Sequence, residues 1–117
     1  MKIFLLVFAV FFGQVQAEPL RIIVPFGSGM QVDWLSRSVA EELRKQGESV
    51  VVENMPGAST IIGTQAVIRQ PGTVLATVAL LLQIPHLHKT LHFDPLRDLK
   101  PVTLGVRSGT VLVVSSA

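Results

Sequence analysis

The segment Arg21-Ile22-Ile23-Val24-Pro25-Phe26-Gly27-Ser28-Gly29 constrains this chain more than any other stretch, because it reads as a β-strand running into a glycine loop that opens onto a helix. Ile22, Ile23 and Val24 form the short apolar, β-branched run of a buried parallel strand, and Pro25 marks its end. From Gln31 or Val32 to Gln46 the positions Val32, Leu35, Val39 and Leu43 recur at helical spacing, which predicts one buried face, and Gly47 closes the helix. The glycine loop then sits at a helix N-terminus, where free N–H groups and the macrodipole favour a carboxylate or phosphate.

The pattern repeats. Ser49 to Glu53 reads as a second strand, Asn54-Met55-Pro56-Gly57 as a turn, and Ser59 or Thr60 as the cap of a second helix running to about Arg69. Strand, helix and strand make a βαβ unit with parallel strands, so the Gly27–Gly29 and Gly57–Thr60 loops are expected to face one crevice at the carboxyl edge of the sheet. A third strand is predicted from Thr73 to about Val78 and a helical turn or loop over Pro85 to Leu91. Phe93-Asp94-Pro95 with Asp98 and Pro101 is a turn-rich connector, and Val102–Val106 and Val111–Ser115 read as two further strands. The fold class is α/β, a mainly parallel sheet with flanking helices.

The first loop does not fit the familiar glycine motifs. A P-loop needs Gly-Lys-Ser/Thr where Met30-Gln31 stands, and a nucleophile elbow needs glycines where Phe26 and Met30 stand. A dinucleotide fingerprint needs a third glycine at Val32, although Glu53 imitates the ribose-binding acid. A nucleotide-binding oxidoreductase fragment using Gly27–Gly29 and Glu53 is therefore the enzyme alternative, and a non-binding remnant is a third reading. His86, His88 and His92 match no zinc spacing and the chain has no Cys, so neither a metal nor a cofactor is expected. With 10 Lys and Arg against 8 Asp and Glu and no basic run, nothing points to nucleic acid. Asp33, in the first turn of the first helix, either stabilises the helix dipole or reaches ligand or water from the crevice rim. Trp34 faces away from the apolar stripe and is expected to be partly exposed.

Part of the 49% hydrophobic content lies at the N-terminus, where Lys2 precedes an uncharged run from Ile3 to Phe12. Val15 and Ala17 then occupy the small-residue positions of a cleavage site, so residues 1–17 read as a signal peptide removed after Ala17. That run is well short of the about 20 residues a spanning helix needs, and no later segment is long enough, so no membrane insertion is expected after cleavage.

With these loops in place, the chain resembles the periplasmic solute-binding receptors of tripartite tricarboxylate transporters, the Bug-type family. The resemblance runs through Arg21-Ile22-Ile23-Val24-Pro25-Phe26, Gly29 and Asp33, then Val50-Val51-Val52-Glu53-Asn54, Pro56-Gly57-Ala58 and Ile62-Gly63. It returns in Phe93-Asp94-Pro95, Asp98 and Pro101-Val102-Thr103. Met30, Ser59, Thr60 and Ile61 depart from it, standing where the family usually has glycines and an asparagine. The resemblance implies residues 18–117 as the incomplete N-terminal α/β lobe of a two-lobed, type II-like periplasmic-binding-protein fold, truncated relative to the longer family. It implies no catalysis, a small carboxylate ligand, and membrane permease subunits as partners. Carried across, the ligand contacts are Phe26, Gly27, Ser28, Gly29 and Asp33 in the first loop and helix start, Ala58, Ser59 and Thr60 in the second turn, and Thr77 with its neighbours as a third candidate.

Overall fold

Strand β1 (Leu20–Val24) runs down the middle of a three-stranded sheet, between β2 (Val50–Asn54) and β3 (Thr73–Leu75), which accounts for its unbroken apolar run. A central parallel strand is covered on both faces, and Ile22, Ile23 and Val24 are accordingly all buried. Both pairings are parallel: Leu20 lies opposite Val50, Val24 opposite Asn54, and Arg21 to Ile23 opposite Thr73 to Leu75. The computed structural model describes residues 18–109 and 111–115, so the expected signal peptide, residues 1–17, lies outside the described residues.

Helix α1 (Gln31–Lys45) forms the first crossover and packs through Ala40 and Leu43 into a cluster with Ile22, Val50, Val52 and Val74. Its buried face is turned from the expected stripe: Asp33, Ser36 and Ala40 point inward, whereas Val39 is 46% exposed. Small side chains at 36 and 40 let the backbone lie close to the sheet, and the Ser36 hydroxyl satisfies itself by donating to the Val32 carbonyl at 2.7 Å. A count of large apolar residues misses that face. Trp34 is exposed, as its position on the helix predicts.

Helix α2 (Ile61–Arg69) contacts β1 and β3 and approaches the sheet through Gly63. A Cβ at Gly63 would stand 2.8 Å from Pro25 Cβ and 3.0 Å from the Met55 carbonyl oxygen, so only glycine admits this closeness. Pro25 shares its face with Ile23 by strand alternation, opposite to the Ile22 face that α1 covers. Helices therefore cover both faces of the sheet, and each of α1 and α2 begins at its carboxyl edge.

Beyond β3 the chain departs from expectation. The third strand stops at Leu75, because β3 pairs only over Thr73 to Leu75, and helix α3 (Leu80–Leu87) follows, anchored by the fully buried Ile84. The helical turn expected from Pro85 thus begins five residues earlier and carries Pro85 inside it. Helix α4 (Pro95–Asp98) starts by reciprocal capping: the Leu96 N–H donates to the Asp94 carboxylate and the Asp94 N–H to the Asp98 carboxylate, both at 2.9 Å. The strands expected at Val102–Val106 and Val111–Ser115 do not form. Val102, Leu104, Val106 and Val111 to Val114 are all exposed, since β-branched composition suits a strand only where a neighbouring strand supplies hydrogen bonds and a packed face.

Candidate functional site

Three parallel strands send their outgoing loops to one edge: Pro25 to Met30 after β1, Met55 to Thr60 after β2, and Ala76 to Ala79 after β3. The ladder carries the register into them, the Met55 N–H donating to the Val24 carbonyl at 2.8 Å and the Ala76 N–H to the Ile23 carbonyl at 2.9 Å. A recess of about 440 Å³ opens there, lined by Phe26, Gly29, Met30, Gln31, Val32 and Val78. A larger concavity, about 750 Å³, lies at the opposite edge among Glu18, Arg21, Glu48, Arg69 and their neighbours. The carboxyl edge suits an anion better, because the N-termini of α1 and α2 lie there, whereas the amino edge receives their carbonyl-bearing C-termini.

The first loop is held from beneath by Asp33, which is 2% exposed. Its Oδ2 accepts from the Gly29 N–H at 2.8 Å, Arg37 Nε at 3.0 Å and Ser28 Oγ at 3.3 Å, and its Oδ1 accepts from Asn54 Nδ2 at 2.9 Å. Hydrogen bonds from Arg37, the Gly29 N–H and Asn54, in that order, hold the Asp33 carboxyl well below the usual carboxylate range. Asn54 Nδ2 also donates to the Phe26 carbonyl at 3.1 Å, tying the end of β2 to the loop after β1. Gly29 has φ +87°, the left-handed region, yet a Cβ there would meet nothing within 4 Å. Close packing does not demand glycine at 29; backbone conformation does. Gly27 and Ser28 are exposed, and their N–H groups have no acceptor among the described residues.

The second loop is built differently. After Gly57 (φ +134°), three consecutive non-glycine residues take positive φ: Ala58 at +46°, Ser59 at +53° and Thr60 at +78°. Such backbone costs of order 1–3 kcal/mol per residue and persists only where surroundings enforce it. Here the buried Thr64 hydroxyl donates to the Thr60 carbonyl at 2.9 Å, and Gly63 seats the helix on Pro25 one turn later. Thr60 occupies the cap position of α2, but its left-handed backbone makes no side-chain cap, contrary to expectation. The Thr60 and Thr77 hydroxyl oxygens are buried without a hydrogen-bond partner among the described residues.

The expected site residues thus share one edge of the sheet without forming one pocket. Phe26 and Gly29 line the recess, and Thr77 adjoins its wall at Val78, whereas Gly27, Ser28, Ala58, Ser59 and Thr60 stand outside that lining. Asp33 points inward to the loop. Sequence reasoning overlooked Arg37 as its partner, although the i,i+4 spacing on α1 is a readable signal. Glu53, the would-be ribose acid, is taken up by Arg21, whose Nε and Nη2 donate to its two oxygens at 3.1 and 2.6 Å, with Gln70 on the remaining Nη1. Among the described residues no cluster of three or more His, Asp or Glu side chains converges, and no helix is long and apolar enough to cross a membrane.

The TctC family profile, described as tripartite tricarboxylate transporter family receptor, matches residues 35–117. The chain is 37% identical over 91 residues to a UPF0065 protein of Bordetella bronchiseptica, covering 74% of this chain and 27% of that protein. It is 32% identical over 94 residues to Protein BugT of Bordetella pertussis, covering 75% and 29% respectively. A solved structure of the periplasmic binding protein BugD is 46% identical, covers 49% of this chain and 20% of its own, and superposes with a TM-score of 0.45. The chain spans less than a third of the length of the curated relatives it matches.

Proposed function

Because the chain belongs to the tripartite tricarboxylate transporter receptor family of Bug-type proteins, we propose that it is the first-lobe portion of an exported receptor binding a small carboxylate for membrane permease subunits. The family is one of transport receptors, so the chain is not an enzyme. The observation that carries the ligand reading is the first loop, just ahead of α1, where Gly27 and Ser28 are exposed and their N–H groups have no acceptor among the described residues. No Lys or Arg occurs in the three carboxyl-edge loops, so recognition there rests on neutral N–H and hydroxyl donors, which suit a carboxylate or a phosphate alike, and the family match favours the carboxylate. The oxidoreductase alternative loses its support, since the Glu53 carboxylate is already paired.

A two-lobed receptor gains affinity when hinge closure brings donors to both sides of the ligand and expels water. On this lobe alone a carboxylate stays solvated on its other face, so binding of succinate or citrate by the mature chain is expected only in the millimolar range. Calorimetric titration with dicarboxylates and tricarboxylates, against matched amines as controls, tests the reading. Equal response to the amines would sink it. Export is proposed as well, with a mature product beginning at Glu18, and the intact mass of the exported chain checks this.

A further inference from the structure

Asp33 combines deep burial with complete use of its acceptors. A carboxylate offers about four acceptor positions, and the Gly29 N–H, the Ser28 hydroxyl, the Asn54 amide and the Arg37 guanidinium occupy them. The donors come from the β1–α1 loop, from the last residue of β2 and from α1 itself, so one side chain joins three segments at the carboxyl edge. Asn54 closes the network twice more: its Nδ2 donates to the Phe26 carbonyl, and its Oδ1 accepts from Arg37 Nη2 at 2.9 Å. The Gly29 N–H is therefore consumed inside the protein and is not a ligand donor. The neighbouring Gly27 and Ser28 are exposed, and their N–H groups have no acceptor among the described residues.

We propose that Asp33, with Asn54 and Arg37, is a positioning residue that shapes the Gly27–Gly29 loop for an anion without touching the anion. The proposal rests on the carboxylate reading of the loop. A negative side chain beneath an anion site is tolerable here because Arg37 pairs with it directly, at 3.0 Å, and the desolvated carboxylate has donors on both oxygens. The sign of one substitution separates positioning from simple charge. Removing the Asp33 charge relieves repulsion and strengthens anion binding if only the field matters, whereas it weakens binding if the loop loses its shape.

The test uses the mature chain, its Asp33→Asn and Asn54→Ala variants, and Glu41→Gln on the exposed surface of α1 as a charge-matched control. Amide exchange by NMR is read first. In the unaltered chain the Gly29 N–H should exchange slowly despite its exposed position, and Asp33→Asn should speed it about tenfold or more while Ile22 and Ile23 stay protected. Asn54→Ala, which alters no charge, should speed it in the same direction. Succinate, which carries no amine that could pair with Asp33, is then titrated while following the Gly27 and Ser28 signals. About a tenfold loss of affinity is expected for Asp33→Asn and none for Glu41→Gln. Unchanged Gly29 exchange in both variants, or tighter succinate binding by Asp33→Asn, would overturn the proposal. Absence of succinate binding by the unaltered chain would sink the carboxylate reading alone, and the exchange result would still decide the role of Asp33.

Discussion

The two loops at the carboxyl edge leave the sheet from adjacent strands and reach helices of similar role, yet they are stabilised in opposite ways. The β1–α1 loop places its one left-handed residue at Gly29 and partners its polar side chains through Asp33. The β2–α2 loop places left-handed backbone on Ala58, Ser59 and Thr60 and leaves the Thr60 hydroxyl buried without a partner among the described residues. The first is preformed by hydrogen bonds; the second is forced by packing, chiefly the seat of Gly63 against Pro25. A loop held by polar partners fails when a partner is lost, and one held by packing fails when the packing is disturbed.

Substitutions can break that contrast, beginning with the largest effect. Gly63→Leu would place side-chain atoms where Pro25 and the Met55 carbonyl already stand, and α2 would have to lift from the sheet. A loss of about 3 kcal/mol or more is expected by denaturant titration, overriding the up to about 1 kcal/mol that leaving glycine normally gains a helix. Acid should act instead on the first loop. The carboxyl of Asp33 is held below its usual range when folded, so its contribution to stability is complete above the unfolded value of about 4 and is lost as pH falls from there through the depressed folded value. Melting temperature measured downward from pH 5 should therefore fall more steeply in the unaltered chain than in Asp33→Asn. The smallest effect is expected at the second loop, where Ser59→Gly removes left-handed strain at an exposed site and should stabilise by about 0.5–1 kcal/mol. A destabilised Ser59→Gly would mean that the turn is not strained.

The sequence was most informative where local and long-range demands agree. Ile22 to Val24 reads as a central strand because such a strand is buried on both faces, and the glycine loop and α1 follow from spacing and turn chemistry. The stripe on α1 was misplaced because Ser36 and Ala40 bury by being small, which hydrophobic periodicity does not register. Val102 to Val106 and Val111 to Ser115 have strand composition without a strand partner, a relation no local pattern encodes. At the site, the loops were legible, whereas the inward commitment of Asp33 was not. That commitment depends on Asn54, twenty-one residues away, meeting it across two segments.

The proposed anion site lies at the carboxyl edge of the sheet, not in the larger concavity at the amino edge. Residue-resolved NMR of the mature chain during a succinate titration tests it most directly. The expected result is shift changes concentrated at the Gly27 and Ser28 amides, with Arg21, Gly47, Arg69 and Gly72 at the other edge unmoved. Changes concentrated at Arg69 and Gly72, with Gly27 and Ser28 silent, would contradict it.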